Sequence, residues 1–192
     1  MSIEPTKDLP VSQGSRRPAA VLMLVRHLGP AREPHLVFMR RSEKVHTHKG
    51  QISFPGGGFK PEDGTLDVTA LRETFEEVGI PPERIRVLGP LPAVDTVVSN
   101  FLITPFVGVP VDPTASIEYI PDGFEVAEIL EIPLRGLLDP ANHRYEEWVM
   151  QGHPRRVVFY QFQQVVIWGA TAFILTNFIK QINQGKWNML FS

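Results

Sequence analysis

Three consecutive glycines, Gly56-Gly57-Gly58, lie between a short strand-like run, Gln51-Ile52-Ser53-Phe54, and a helix-forming stretch from about Thr65 to Val78. Glycine tolerates positive φ and lets other atoms approach the bare backbone. The chain is thereby committed to a fold in which an exposed main-chain segment is delivered to the start of an amphipathic helix. A phosphate-bearing ligand can come close at such a place. Read as a glycine-rich loop, the run fits neither the dinucleotide fingerprint nor the Walker pattern, so the helix that follows must supply the chemistry.

That helix reads Ala-Leu-Arg-Glu-Thr-Phe-Glu-Glu-Val-Gly-Ile from Ala70 to Ile80. At about 100° per residue, Glu73, Glu76 and Glu77 share a narrow arc, and Val68, Leu71, Phe75 and Val78 are expected to form the packing face on the opposite side. Like charges at these spacings each disfavour an isolated helix by about 0.2–0.5 kcal/mol. The cluster is therefore easiest to keep where cations bind it. Hard carboxylate oxygens with no Cys or His beside them suit Mg²⁺ or Mn²⁺ better than zinc. A solvated acidic face is the alternative that the helix alone leaves open.

The rest of the chain describes a compact globular domain. Its 192 residues, 43% hydrophobic, suffice for one domain with a sizeable core. A formal charge of −2 argues against a general nucleic-acid-binding surface. The absence of cysteine excludes disulfides, thiol catalysis and cysteine-ligated metal, and is compatible with a reducing cytoplasm. The N-terminal residues do not read as a secretory signal, and residues 1–17 are expected to form a flexible tail ahead of a single domain over 18–192. The longest apolar region, Val157 to Ile179, is interrupted by Gln161, Gln163, Gln164 and Asn177. It is expected to be a strand followed by a packed helix from about Thr171, not a membrane span.

Strands are expected near Ala19–Arg26, His35–Arg41, Gln51–Phe54, Ile85–Leu91, Phe101–Val109, Glu125–Ile132, Tyr145–Met150 and Arg155–Phe162. A hairpin turn at Gln151-Gly152-His153-Pro154 and a short helix from Pro133 through Leu138 complete the pattern. Such interleaving suits an α/β fold with a sheet sandwiched by helices. His27, His35, His143 and His153 fall in strand or turn contexts and are expected to be structural or exposed, and Trp168 with Phe162 and Phe173 is expected in the core.

The glycines and the acidic helix together resemble the Nudix box, G-x5-E-x7-R-E-U-x-E-E-x-G-U with U a bulky aliphatic residue. Arg72, Glu73, Glu76, Glu77, Gly79 and Ile80 match it, and Thr74 replaces the aliphatic after Glu73. Counting from Gly58, the early glutamate falls on Gly64; counting from Gly57, Asp63 takes the slot with one extra residue before Arg72, and this second register is preferred. Upstream, Val37 to Gly57 resembles the pattern L-L-T-x-R-(S/A)-x3-R-x3-G-x-(V/I)-x-F-P-G-G of Nudix enzymes that cleave coenzyme A. Arg41, Ser42, Gly50, Ile52 and Phe54-Pro55-Gly56-Gly57 register without a gap, with Met39 in place of threonine and His46 in place of arginine. Glu125 to Glu128 ahead of Ile132-Pro133-Leu134, and Ile167 to Ala172, resemble the same subfamily.

The resemblance implies an α/β/α sandwich with a mixed sheet and hydrolysis of a pyrophosphate bond supported by Mg²⁺ or Mn²⁺. It implies metal binding by Glu73, Glu76 and Glu77, Glu77 foremost, with catalytic roles for Arg72, Glu73 and Glu76. Arg72 would orient a neighbouring glutamate. The general base would come from Glu76, Glu73, Glu118 or Glu125, with Glu76 favoured. Substrate binding would fall to Arg40, Arg41, Lys49, Gly56 and Gly57, helped by Lys44, His46 and His48. Coenzyme A would yield 3′,5′-ADP and 4′-phosphopantetheine; ADP-ribose, a dinucleotide, or ligand binding without turnover are the alternatives. A homodimer is implied by resemblance alone, and neither nucleic acid nor membrane is expected as a partner.

Overall fold

The computed structural model describes residues 16–45, 48–96, 100–150 and 152–191. In chain order its elements are β1 (Arg17–Leu28), β2 (Glu33–Arg41), β3 (Ile52–Ser53), β4 (Gly56–Gly58), α1 (Leu66–Val78), β5 (Ile85–Pro90), β6 (Val94–Asp95) and β7 (Phe101–Pro110). Then follow β8 (Val126–Pro133), α2 (Leu134–Leu138), β9 (His143–Met150), β10 (His153–Phe162), β11 (Val165–Ile167) and α3 (Gly169–Asn183). Apart from Arg16 and Arg17, the expected N-terminal tail lies outside the described residues, as do His46 and Gln151. Arg17 already pairs with Phe101 at the start of β1.

Eight strands form one mixed sheet with the path β3-β2-β1-β7-β5. β1 and β7 run parallel from Arg17↔Phe101 to Leu24↔Gly108, and the other pairings are antiparallel. One edge of β1 changes partner along its length. Its Val25–Leu28 end pairs with β2, whereas Ala19, Ala20 and Val21 pair with Gly58, Gly57 and Gly56 of β4. The glycines expected as a loop are thus a strand inserted where β1 and β2 part. A Cβ at Gly56, whose φ is +156°, would stand 2.3 Å from the Ala20 carbonyl oxygen and 2.6 Å from Val21 Cα, so only glycine fits.

Strand alternation sends side chains to opposite sheet faces. Ala20, Leu22, Leu24 and Val37 meet α1 through Ala70 and Val78. Met23, Val25, Leu36 and Phe38 meet Phe54, Tyr160 and Ile167, together with Ala172, Leu175 and Phe178 of α3. Phe38 and Phe178 are fully buried, and each such side chain contributes about 1.5–3 kcal/mol relative to exposure. The apolar region Val157 to Ile179 is therefore spent on β10, β11 and the core face of α3. No helix among the described residues is long and apolar enough to cross a membrane. β9, β10 and β11 form a separate antiparallel sheet, whose Trp148 and Phe159 contact each other and Trp168, the residue between β11 and α3. Phe173, expected in the core, is exposed instead.

The packing face of α1 differs from the one the apolar periodicity indicated. Val68 and Phe75 are exposed, while Thr69, Ala70, Thr74, Glu77 and Val78 are buried. The cause is the neighbour: α1 lies against β1 and the side-chain-free β4, and small residues let the backbones approach. Thr74 fits there as an aliphatic would, its hydroxyl donating to the Ala70 carbonyl at 2.7 Å. Two of the glutamates thus belong to the packed side of the helix and not to its solvent side.

Candidate active site

Glu77 is the most buried of the three glutamates. It projects from the last turn of α1 toward β4, accepts a hydrogen bond from the Gly56 N–H at 2.8 Å, and retains only 6% of its exposure. Burial pushes its carboxyl up to about 8, reinforced by the negative charges of Glu73 and Glu125, although the Gly56 N–H and the Arg41 guanidinium oppose the shift. Arg41, at the end of β2, approaches Glu77 only to 4.0 Å and Glu125 to 3.6 Å, and its buried Nε has no partner. A buried carboxylate without a close counter-charge is poised to accept a cation.

Glu73, one turn back, lies over Gly57. A Cβ on Gly57 would fall 2.6–2.7 Å from its carboxylate atoms. Gly57→Ala is therefore expected to fold, because a side-chain end can move aside, but to displace Glu73. The affinity for Mn²⁺ should drop by about tenfold in calorimetric titration, with little change in melting temperature.

Glu73 is held by Arg72, whose Nη1 donates to Glu73 Oε1 at 2.7 Å and to Glu76 Oε2 at 3.1 Å. The same guanidinium grips Asp63 through Nε (2.7 Å) and Nη2 (3.0 Å), and Nη2 also reaches the Gly58 carbonyl at 3.1 Å. Asp63 accepts two further bonds, from the Thr69 hydroxyl at 2.8 Å and the Lys60 N–H at 3.0 Å. The Arg72 hydrogen bonds hold its carboxyl well below the usual carboxylate range, and their counterpart raises Arg72. Asp63 is thus the acidic partner of Arg72, in the register counted from Gly57.

The three glutamates are not gathered into one cradle. Among the described residues, no group of three or more His, Asp or Glu side chains is close enough to hold a metal ion. Glu76 is half-exposed and faces Arg72 and, at 3.7 Å, Lys60. Hard carboxylate oxygens at Glu73 and Glu77, the latter buried without a close counter-charge, nevertheless fit a divalent cation. That fit rests on these two, with Glu76 engaged elsewhere.

The basic stretch of β2 also divides. Arg41 faces Glu77, whereas the adjacent Arg40 pairs with Glu128 across β8 at 2.9 Å. Lys44 donates to the Gly123 carbonyl, and Lys49 and His48 are exposed. Met39, at the threonine position of the upstream pattern, is buried in the sheet with 1% exposure, so its identity touches no ligand. Of the candidate bases, Glu118 is exposed and Glu125 stands beside Arg41. His27 and His143 contact backbone carbonyls at 2.8 Å, as structural histidines do.

Sequence reading missed Asp122. It accepts from three successive backbone N–H groups, and no motif marked it. Asp63 did carry a signal, because it takes the early acidic slot counted from Gly57, although its pairing with Arg72 was not read from the sequence.

Comparison with known proteins agrees with this geometry. The NUDIX domain family model matches residues 16–151. A protein of Photorhabdus laumondii named as an uncharacterized Nudix hydrolase NudL is 39% identical over 150 residues, 78% of each chain. Another of that name from Pectobacterium atrosepticum is 38% identical over 175 residues, covering 91% of this chain and 86% of its own. In fold, the chain is similar to the crystal structure of a MutT protein from Methanosarcina mazei, with a TM-score of 0.57 at 16% identity, over 90% of this chain and 99% of that one. A MutT/nudix family protein from Enterococcus faecalis gives 0.54 at 14% identity, over 92% and 66%. With the glycine strand, the acidic helix and the family match on the same residues, the chain belongs to the Nudix hydrolase family and is an enzyme of that family.

Proposed function

We propose that this enzyme hydrolyses the pyrophosphate bond of coenzyme A or its derivatives with Mg²⁺ or Mn²⁺, giving 3′,5′-ADP and 4′-phosphopantetheine or its acyl form. The observation that carries the reading is the meeting of Arg41 with Glu77. The upstream pattern ends on β3 and β4, so the residues that resemble a coenzyme A signature lie beside the residues that resemble the Nudix box. Met39 does not weaken the match, since its side chain is internal.

In this reading Glu73 and Glu77 hold the cation, which when bound neutralises phosphoryl oxygens and favours attack by water. Arg72 orients Glu73, and Asp63 fixes Arg72. Arg41 offers its under-used guanidinium to the diphosphate. Gly56 and Gly57 keep side chains out of the space between α1 and the ligand. Glu76 serves as base only by releasing Arg72 and Lys60, so Glu125, half-exposed beside Arg41, competes for that role.

The test is a substrate panel. Coenzyme A, ADP-ribose and a nucleoside triphosphate are incubated with purified protein and Mg²⁺ or Mn²⁺, and the products are identified by mass. Coenzyme A is expected to be cleaved with the highest kcat/KM. Preference for ADP-ribose by tenfold or more would replace the substrate while retaining the chemistry.

A further inference from the structure

We propose that Asp122 is a positioning residue for the cation site, holding Glu125 through the backbone of a turn on the far side of Arg41 from Glu77, where its charge adds to the field that a cation on Glu73 and Glu77 meets without ligating it. This rests on the reading that Glu73 and Glu77 take a divalent cation.

The turn before β8 is built around one atom. Asp122 Oδ1 accepts from the N–H groups of Phe124 (2.9 Å), Glu125 (2.7 Å) and Val126 (3.1 Å). The turn is tied on both sides. Ile120 N–H donates to the Val78 carbonyl at 3.0 Å and Asp122 N–H to the Glu77 carbonyl at 3.3 Å, which pins it to the last turn of α1. Ser42 N–H donates to the Glu125 carbonyl at 2.8 Å, which pins it to the end of β2. A register shift between Arg40 and Arg41 sets Val126 opposite Arg41, and Glu125 next to it.

The consequence is a charge arrangement that packing alone does not secure. The Glu125 side chain is 47% exposed, so apolar contacts do not fix it. Its carboxylate nonetheless stands 3.6 Å from Arg41, whose other terminal nitrogen is 4.0 Å from Glu77. One cationic group already lies between carboxylates from α1 and from the turn, at distances too long for good hydrogen bonds. A divalent cation held by Glu73 and Glu77 is a stronger claimant for that negative field, and Arg41 is then released toward the diphosphate. Asp122 acts on the cation only through where it leaves Glu125.

Calorimetric titration of the whole protein with Mn²⁺ tests this. Glu125→Gln and Asp122→Ala are each expected to weaken Mn²⁺ by about tenfold, and the double variant by no more than Glu125→Gln alone. Asp122→Asn keeps the accepting oxygen and should bind nearly as the unsubstituted protein does. Amide exchange at residues 124–126 should quicken in Asp122→Ala and stay slow in Asp122→Asn. If Asp122→Ala does not fold, Asp122→Ser is judged by the same criteria. Additive losses, or unchanged Mn²⁺ affinity in Asp122→Ala, would overturn the proposal, as would absence of Mn²⁺ binding by the unsubstituted protein. Cleavage of coenzyme A with additive losses would sink the Asp122 role alone; coupled losses without cleavage of coenzyme A would sink the substrate reading alone.

Discussion

Replacing Glu77 by Gln is expected to lower metal-dependent turnover by at least about a hundredfold while leaving a folded protein. The amide retains an oxygen for the Gly56 N–H and removes the charge that a cation requires. A second consequence follows from burial. The native carboxyl titrates at about 8 against an ordinary value of 4.5, so between these limits the folded state binds more protons than the unfolded chain. Stability from this group is fully present below pH 4.5 and is lost as pH rises to about 8. At about 1.4 kcal/mol per unit the loss amounts to about 3–5 kcal/mol. In chelator, the melting temperature of the unsubstituted protein should therefore fall across this window, and that of Glu77→Gln should stay comparatively level. Saturating Mn²⁺ should restore the unsubstituted protein at high pH and leave the variant unchanged. Equal pH profiles for the two proteins in chelator would show that Glu77 is not held as described.

The second large effect belongs to Asp63. Its carboxylate is nearly fully buried against Arg72, Thr69 and the Lys60 N–H, and breaking a buried ion pair from one side costs about 3–5 kcal/mol. Glu73, Glu76 and the Gly58 carbonyl still engage Arg72, which places Asp63→Ala at the lower end, about 3 kcal/mol. Denaturant unfolding at pH 7 should show this as a fall in midpoint at unchanged slope. Turnover should fall too, because a released Arg72 no longer holds Glu73 over Gly57. The pH behaviour is the mirror of Glu77. Asp63 is depressed in the folded state, so its contribution is present above about pH 4 and is lost only as the medium becomes more acidic. Asp63→Asn should remove that acid limb while preserving part of the hydrogen bonding.

These two residues also show how far the sequence could be read. The helix boundaries, the long strands and the C-terminal helix follow from periodicity and punctuation, and Leu66–Val78 and Gly169–Asn183 begin within two residues of where they were expected. The Arg72-Glu73 and Glu76-Glu77 spacing identifies the chemistry. What periodicity could not deliver was the orientation of the acidic helix. It assumes that apolar residues face inward, and Val68 and Phe75 do not, because part of the surface against α1 is the glycine backbone of β4, over which Glu73 and Glu77 lie, while Ala70 and Val78 meet β1. Glycines read as a loop became β4 because β1 needed a partner beyond its pairing with β2, a long-range requirement invisible in a local window. Arg40 and Arg41 looked alike in sequence, and strand alternation sends one to Glu128 and the other to Glu77. Asp122 was silent because its role is to bond backbone, which leaves no side-chain pattern to count.

The most direct measurement is the fate of coenzyme A with the purified protein, in Mg²⁺ and in excess chelator, read by mass. The account predicts 3′,5′-ADP and 4′-phosphopantetheine in Mg²⁺ and intact coenzyme A in chelator. Coenzyme A left whole in Mg²⁺, or cleaved equally well in chelator, would contradict it.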